Sequence, residues 1–145
     1  RNPHYLIGEQ VLAAPIIKDI GIETISTGYI LIDGGSPTAV EFISGTRPIP
    51  LNNPDLLISH ALAAQFLGMQ MLYIESGSGA KTRIQNESLK MVSNEVDIDI
   101  IVGGGIKTPD DANQIANAGA SFVVIGSAIE KSLNSISDFA QAIHR

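Results

Sequence analysis

Residues 98–127, "IDIIVGGGIKTPDDANQIANAGASFVVIGS", carry the reading that decides the fold. An apolar run, 98–102, stops at the glycine cluster Gly103-Gly104-Gly105. Thr108-Pro109-Asp110-Asp111 then starts a helix: Thr108 can cap, Pro109 suits the first helical position, and two acids favour the positive end of the helix dipole. Gly119 supplies a left-handed stop, and a second apolar run, 122–125, ends at Gly126-Ser127. Strand, glycine loop, helix, glycine and strand follow one another as in a βαβ unit.

The same grammar recurs upstream. Residues 13–21, "AAPIIKDIG", lead through Gly21 into "IETISTGYILIDGG", and residues 53–68, "NPDLLISHALAAQFLG", lead through Gly68 into "MQMLYIESGSG". Five strands are expected, at 5–7, 28–32, 71–74, 98–102 and 122–125. Their nearly continuous apolar runs suit a parallel sheet covered on both faces. The fold class is α/β. The expected architecture is the C-terminal five βα units of a TIM (β/α)8 barrel, with residues 1–145 forming one partial barrel domain. Such a barrel takes roughly 250 residues, so about 100 residues carrying the N-terminal strands are expected before Arg1. The alternative is a five-stranded open parallel sheet, flavodoxin-like, which needs no missing part.

Composition narrows the function. The net charge is −6, and the nine Lys and Arg are scattered rather than gathered in a basic stripe, which argues against nucleic acid as a partner. No cysteine is present, so disulfides and thiolate metal sites are excluded, and a cytoplasmic setting is expected. No apolar run approaches the ~18 residues of a membrane span. His60 reads as a helix-face residue, and no two His or carboxylates stand at a metal-ligand spacing.

In either fold the ligand binds at the C-terminal ends of the strands. Asp33-Gly34-Gly35-Ser36, residues 75–80, Gly103-Gly104-Gly105 and Gly126-Ser127 all stand there. Glycine loops after consecutive strands can hold a phosphate through backbone N–H groups. Glu75, at the end of "MLYI", is placed to take a proton from a substrate hydroxyl, and Tyr73 points to the same side of its strand. A carboxylate there could instead cap the next helix or pair with Lys81. Asp33 is expected to brace the Gly34-Gly35 turn, and Lys107 is a candidate phosphate neighbour.

"YIESGSGA" (73–80), "IVGGGIKT" (101–108) and "VVIGSAIEK" (123–131) together resemble the geranylgeranylglyceryl phosphate synthase family, including its heptaprenylglyceryl phosphate relatives. "STGYILIDGGSPTAVEFIS" (26–44) with "TRPIP" (46–50) is similar to one branch of it. The resemblance implies a TIM-barrel prenyltransferase that joins the 3-hydroxyl of sn-glycerol 1-phosphate to a polyprenyl diphosphate. Geranylgeranyl is the expected chain, and the product carries the ether bond of archaeal-type lipids. It further implies that Tyr73 and Glu75 hold the glycerol hydroxyls, with Glu75 taking the proton. Gly103, Gly104, Gly126 and Ser127 would bind the phosphate, with Gly77 or Ser78 adding to it. The family's Mg²⁺ sits at an Asp-rich motif that nothing in this sequence matches. Its ligands are therefore expected in the N-terminal part of the barrel, little or no turnover is expected of the 145 residues alone, and a homo-oligomer is expected. Another phosphate-binding barrel, an isomerase or a flavin-dependent enzyme, is the competing enzyme class. A non-catalytic half-barrel that assembles with a partner chain is the competing non-enzyme.

Overall fold

In the computed structural model, which describes residues 2–144, the first four residues of each of the first three strands alternate between more exposed and buried. The strands are β1 (Thr27–Leu31), β2 (Met71–Glu75), β3 (Asp99–Gly103) and β4 (Phe122–Val124). All are parallel and stand in the order β1-β2-β3-β4. The helices between and after them are α1 (Glu9–Ile20), α2 (Ala39–Ser44), α3 (Pro54–Phe66), α4 (Asn86–Glu95), α5 (Pro109–Asn117), α6 (Ser127–Lys131) and α7 (Ile136–Ile143).

Strand side chains point to alternate faces, so each row of the sheet belongs to one face. Ile30, Leu72, Ile74, Ile100 and Val102 are buried on one face, in a core shared with Leu57 and Ala61 of α3, Leu89 and Val92 of α4, and Ala112 and Ile115 of α5. The opposite face holds two cross-strand rows. One is Tyr29, Tyr73, Ile101 and Phe122; the other is Leu31, Glu75, Gly103 and Val124.

Two expectations need correction. Residues 5–7 form no strand: they lie in a π-helical turn, His4–Gly8, continuous with α1. The Asn2 side chain accepts from the His4 N–H and its carbonyl from the Tyr5 and Leu6 N–H groups, so the local hydrogen bonds go to a helix start. Among the described residues the sheet has four strands rather than five. The sheet is also fully covered on one face only: on the other, Leu31 and Glu75 are buried but Tyr29, Phe122 and Val124 are exposed. Both faces of a closed barrel's sheet are apolar, one against the helices and one against the interior, so the composition of the runs does not report closure.

Helix ends follow local chemistry. Gly21 stops α1 in the left-handed conformation, φ 71°, with its N–H on the Ile17 carbonyl. Thr108 caps α5 as its sequence suggests, and Thr38 and Asn53 cap α2 and α3. The irregular segment after α2 returns to the sheet at Ile49, buried, which hydrogen-bonds Leu31 and Asp33 along the outer edge of β1.

Candidate functional site

Glu75 is the last residue of β2 and one of three buried polar or charged residues among those described. A carboxylate taken out of water must find donors. The Gly77 N–H donates to Glu75 Oε1 at 2.7 Å, and the Tyr73 hydroxyl donates to Oε2. Each oxygen is thus oriented by one donor and keeps acceptor capacity. Burial, the bond to Glu75 and the charge of Glu75 all push the Tyr73 phenol above its ordinary value, so it remains a donor. Tyr29, across from Tyr73 on β1, is pushed up to about 12 by burial and by Glu75.

The glycines beyond β3 keep this corner free of side chains. A Cβ on Gly103 would lie 2.5 Å from Glu75 Oε2 and 2.6 Å from the Tyr73 hydroxyl. One on Gly104 would lie 2.7 Å from Oε1 and 2.8 Å from the Gly77 nitrogen, and Gly104 also has φ +82°. The loop after β2 is tied on both sides. The Ser76 N–H donates to the Gly103 carbonyl at 3.1 Å, and the Gly34 carbonyl accepts from Lys81 and Thr82 N–H at 2.9 and 3.2 Å. Asp33 Oδ1 accepts from the Gly35 N–H at 2.8 Å, the bracing role expected of it.

Tyr73, Glu75, Gly77, Gly103 and Gly104 therefore come together. Gly126 and Ser127 stand at the same end of the neighbouring strand, just past Val124, which pairs with Gly103. No hydrogen bond among the described residues joins them to Glu75. Ser78 is exposed on the loop beyond Gly77. Lys107 donates through Nζ to the Lys81 carbonyl at 3.1 Å, and His60 Nδ1 lies 2.7 Å from the Leu56 carbonyl of its own helix. A cleft of about 400 Å³ next to these loops is lined by Lys81, Arg83, Asn86, Gly105, Lys107 and Asp111, among others, but by neither Tyr73 nor Glu75.

Among the described residues no three His, Asp or Glu side chains gather to hold a metal ion, so these residues do not fit a Mg²⁺ site. No helix is long and apolar enough to cross a membrane. Sequence reasoning missed Tyr29, whose place beside Tyr73 depends on strand register. It also missed the group in which Arg83 meets Asp111, Asn86 and Gln114.

Comparison with known proteins bears on this geometry. The sequence pattern of the PcrB family matches residues 1–143. The chain is 46% identical over 144 residues to the geranylgeranylglyceryl phosphate synthase of Chitinophaga pinensis, an alignment covering 99% of this chain and 57% of that relative. It is 49% identical over 130 residues to that of Flavobacterium johnsoniae, covering 90% and 54%. Among solved structures, (S)-3-O-geranylgeranylglyceryl phosphate synthase from Thermoplasma acidophilum, in complex with substrate sn-glycerol-1-phosphate, superposes with a TM-score of 0.87 at 35% identity, covering 97% of this chain and 56% of that one. The chain thus spans little more than half the length of the relatives it matches.

Proposed function

Because the chain belongs to the PcrB family, we propose that it forms the glycerol phosphate half of a prenyltransferase. The 3-hydroxyl of sn-glycerol 1-phosphate attacks the allylic carbon of a polyprenyl diphosphate, in this reading geranylgeranyl diphosphate. A C–O ether bond forms, the bond from carbon to diphosphate breaks, and diphosphate leaves with its electron pair. The hydroxyl proton passes to Glu75. One observation carries the reading: a buried carboxylate, held by Tyr73 and Gly77, packs against two glycines at which any side chain would collide with it.

The roles follow from what each group has left to offer. Glu75 keeps a free lone pair on each oxygen, enough to accept the hydroxyl proton while its two donors hold it in place. Tyr73 fixes the carboxylate and offers its phenolic oxygen to a second glycerol hydroxyl. Gly103 and Gly104, with Gly126 and Ser127 after β4, would take the phosphate through backbone N–H groups, with Gly77 or Ser78 contributing. A divalent cation, Mg²⁺, is part of the family resemblance. The described residues do not gather a ligand set for it, and in this reading its ligands lie in the N-terminal part of the barrel. A cytoplasmic homo-oligomer whose further strands complete the barrel is the setting this reading implies.

Calorimetric titration of the chain with sn-glycerol 1-phosphate tests the reading without the second substrate. The expected result is saturable binding, clearly tighter than for its mirror image, sn-glycerol 3-phosphate, because hydroxyls held at Tyr73 and Glu75 sense handedness and a phosphate loop alone does not. Equal affinity for the two enantiomers would sink the proposed substrate. Prenyl transfer from geranylgeranyl diphosphate, with Mg²⁺, is then measured in the whole gene product that carries this chain.

A further inference from the structure

The open face of the sheet places a second tyrosine next to the reacting pair. Tyr29 and Tyr73 are registered partners across β1 and β2, on the face that also carries Glu75. Their rings meet edge to face, with centroids 5.2 Å apart and planes at 81°. Tyr29 is 47% exposed, and its own hydroxyl makes no hydrogen bond among the described residues. The charge of Glu75 reaches it, for together with burial it raises the Tyr29 phenol to about 12. A tyrosine in a strand has few rotamers open to it, and a ring packed against its face or edge removes most of the rest.

We propose that Tyr29 is a positioning residue for the prenyl transfer, its ring holding the Tyr73 ring so that the Tyr73 hydroxyl stays on Glu75 Oε2. The inference rests on the proposed reaction. It adds a residue that makes no hydrogen bond to Glu75 or the phosphate loops among the described residues and acts through the Tyr73 ring it packs against. The ring carries the role and the Tyr29 hydroxyl does not, since that hydroxyl bonds to no described residue.

The test is a double-mutant cycle in the whole gene product, read as kcat and KM for sn-glycerol 1-phosphate. Tyr29→Phe keeps the ring and is expected to leave kcat within about twofold of wild type. Tyr29→Leu is expected to lower kcat about three- to tenfold, the size of an edge-to-face aromatic pair, with KM little changed. In a Tyr73→Phe background, which has no hydroxyl to hold, Tyr29→Leu is expected to cost almost nothing more. An equal loss from Tyr29→Leu in both backgrounds, or a Tyr29→Phe as slow as Tyr29→Leu, would overturn the proposal. The Glu75 side-chain carboxyl ¹³C resonance of the chain reads the same contact without turnover. Tyr29→Leu is expected to move it in the direction that Tyr73→Phe does, whereas Tyr29→Phe leaves it in place. No movement in Tyr29→Leu overturns the proposal even if prenyl transfer is never observed, and a protein that transfers nothing yet shows the shift has lost the reaction and kept the contact.

Discussion

At the scale of single residues, Glu75 is a buried carboxylate with acceptor capacity to spare. The Gly77 N–H and the Tyr73 hydroxyl replace lost water, and the glycines at 103 and 104 admit the carboxylate where a Cβ would collide with it. Glu75→Gln preserves shape but cannot take a proton. It is expected to bind sn-glycerol 1-phosphate within a few-fold of wild type and to lower kcat about 10²- to 10⁴-fold, the usual contribution of a general base. Undiminished turnover in the gene product carrying the substitution would remove Glu75 from the chemistry. The next residue behaves differently. Ser76 is buried and its Oγ has no hydrogen-bond partner among the described residues, a cost with no evident return. Removing an unsatisfied buried hydroxyl relieves about 1 kcal/mol or more, so Ser76→Ala should raise the urea midpoint of unfolding. A lower midpoint would mean that the hydroxyl finds a partner in solution.

At the scale of elements, the start of α5 fastens the site's loops. Thr108 Oγ1 accepts from the Asp111 N–H at 3.1 Å and Asp111 Oδ2 accepts from the Thr108 N–H at 3.0 Å, a capping box. Asp111 Oδ1 takes Arg83 Nε at 3.2 Å, and Arg83 also donates to Asn86, Gln114 and the Ile84 carbonyl. The loop after β2 and the helix after β3 are thereby joined. Thr108→Ala is expected to cost about 1 kcal/mol in urea unfolding at neutral pH, the value of a lost cap. Burial by itself raises the Asp111 carboxyl, but the donors from Thr108, Arg83 and Lys107 outweigh it and hold the group below its ordinary 3.8. A carboxyl lowered by folding stabilises the protein fully above its unfolded value and loses that contribution as pH falls through the lower folded one. Stability should therefore drop below about pH 3.8 in wild type. In Asp111→Asn, this part of the acid dependence should be absent.

At the scale of the whole molecule, four parallel strands leave a layer without a partner. Helices cover one face, while Tyr29, Phe122 and Val124 look out from the other, and β4 ends the sheet. An exposed apolar sheet face with an unpaired edge favours association. The 145 residues alone are expected to sediment as more than a monomer or to bind a hydrophobic dye strongly, and to transfer no prenyl group. A monodisperse monomer that leaves the dye dark would show that this face is closed in solution by residues already in the chain. The glycerol phosphate titration separates the two levels: binding can persist where turnover does not, because Glu75 and the loops around it hang on β2 and β3, inside the sheet rather than at its edges.

Much of this was legible from the sequence, for a physical reason. Helix caps, glycine stops, strand runs and the parity that puts Tyr73 and Glu75 on one face depend on residues a few positions apart, so local chemistry states them. Four of the expected strands fall within one residue of those observed at each end, and the capping box stands where Thr108-Pro109-Asp110-Asp111 announced it. The tertiary structure alone decided what depends on distant partners. Tyr29 meets Tyr73 only through the register of β1 on β2, and Arg83 meets Asp111 only once two βα units pack side by side. Gly103 is crowded by Glu75 and Tyr73 only because β3 lies beside β2. Residues 5–7 show the reverse: their apolar side chains suit a strand, but with no strand beside them the hydrogen bonds of Asn2 turn them into a helix start.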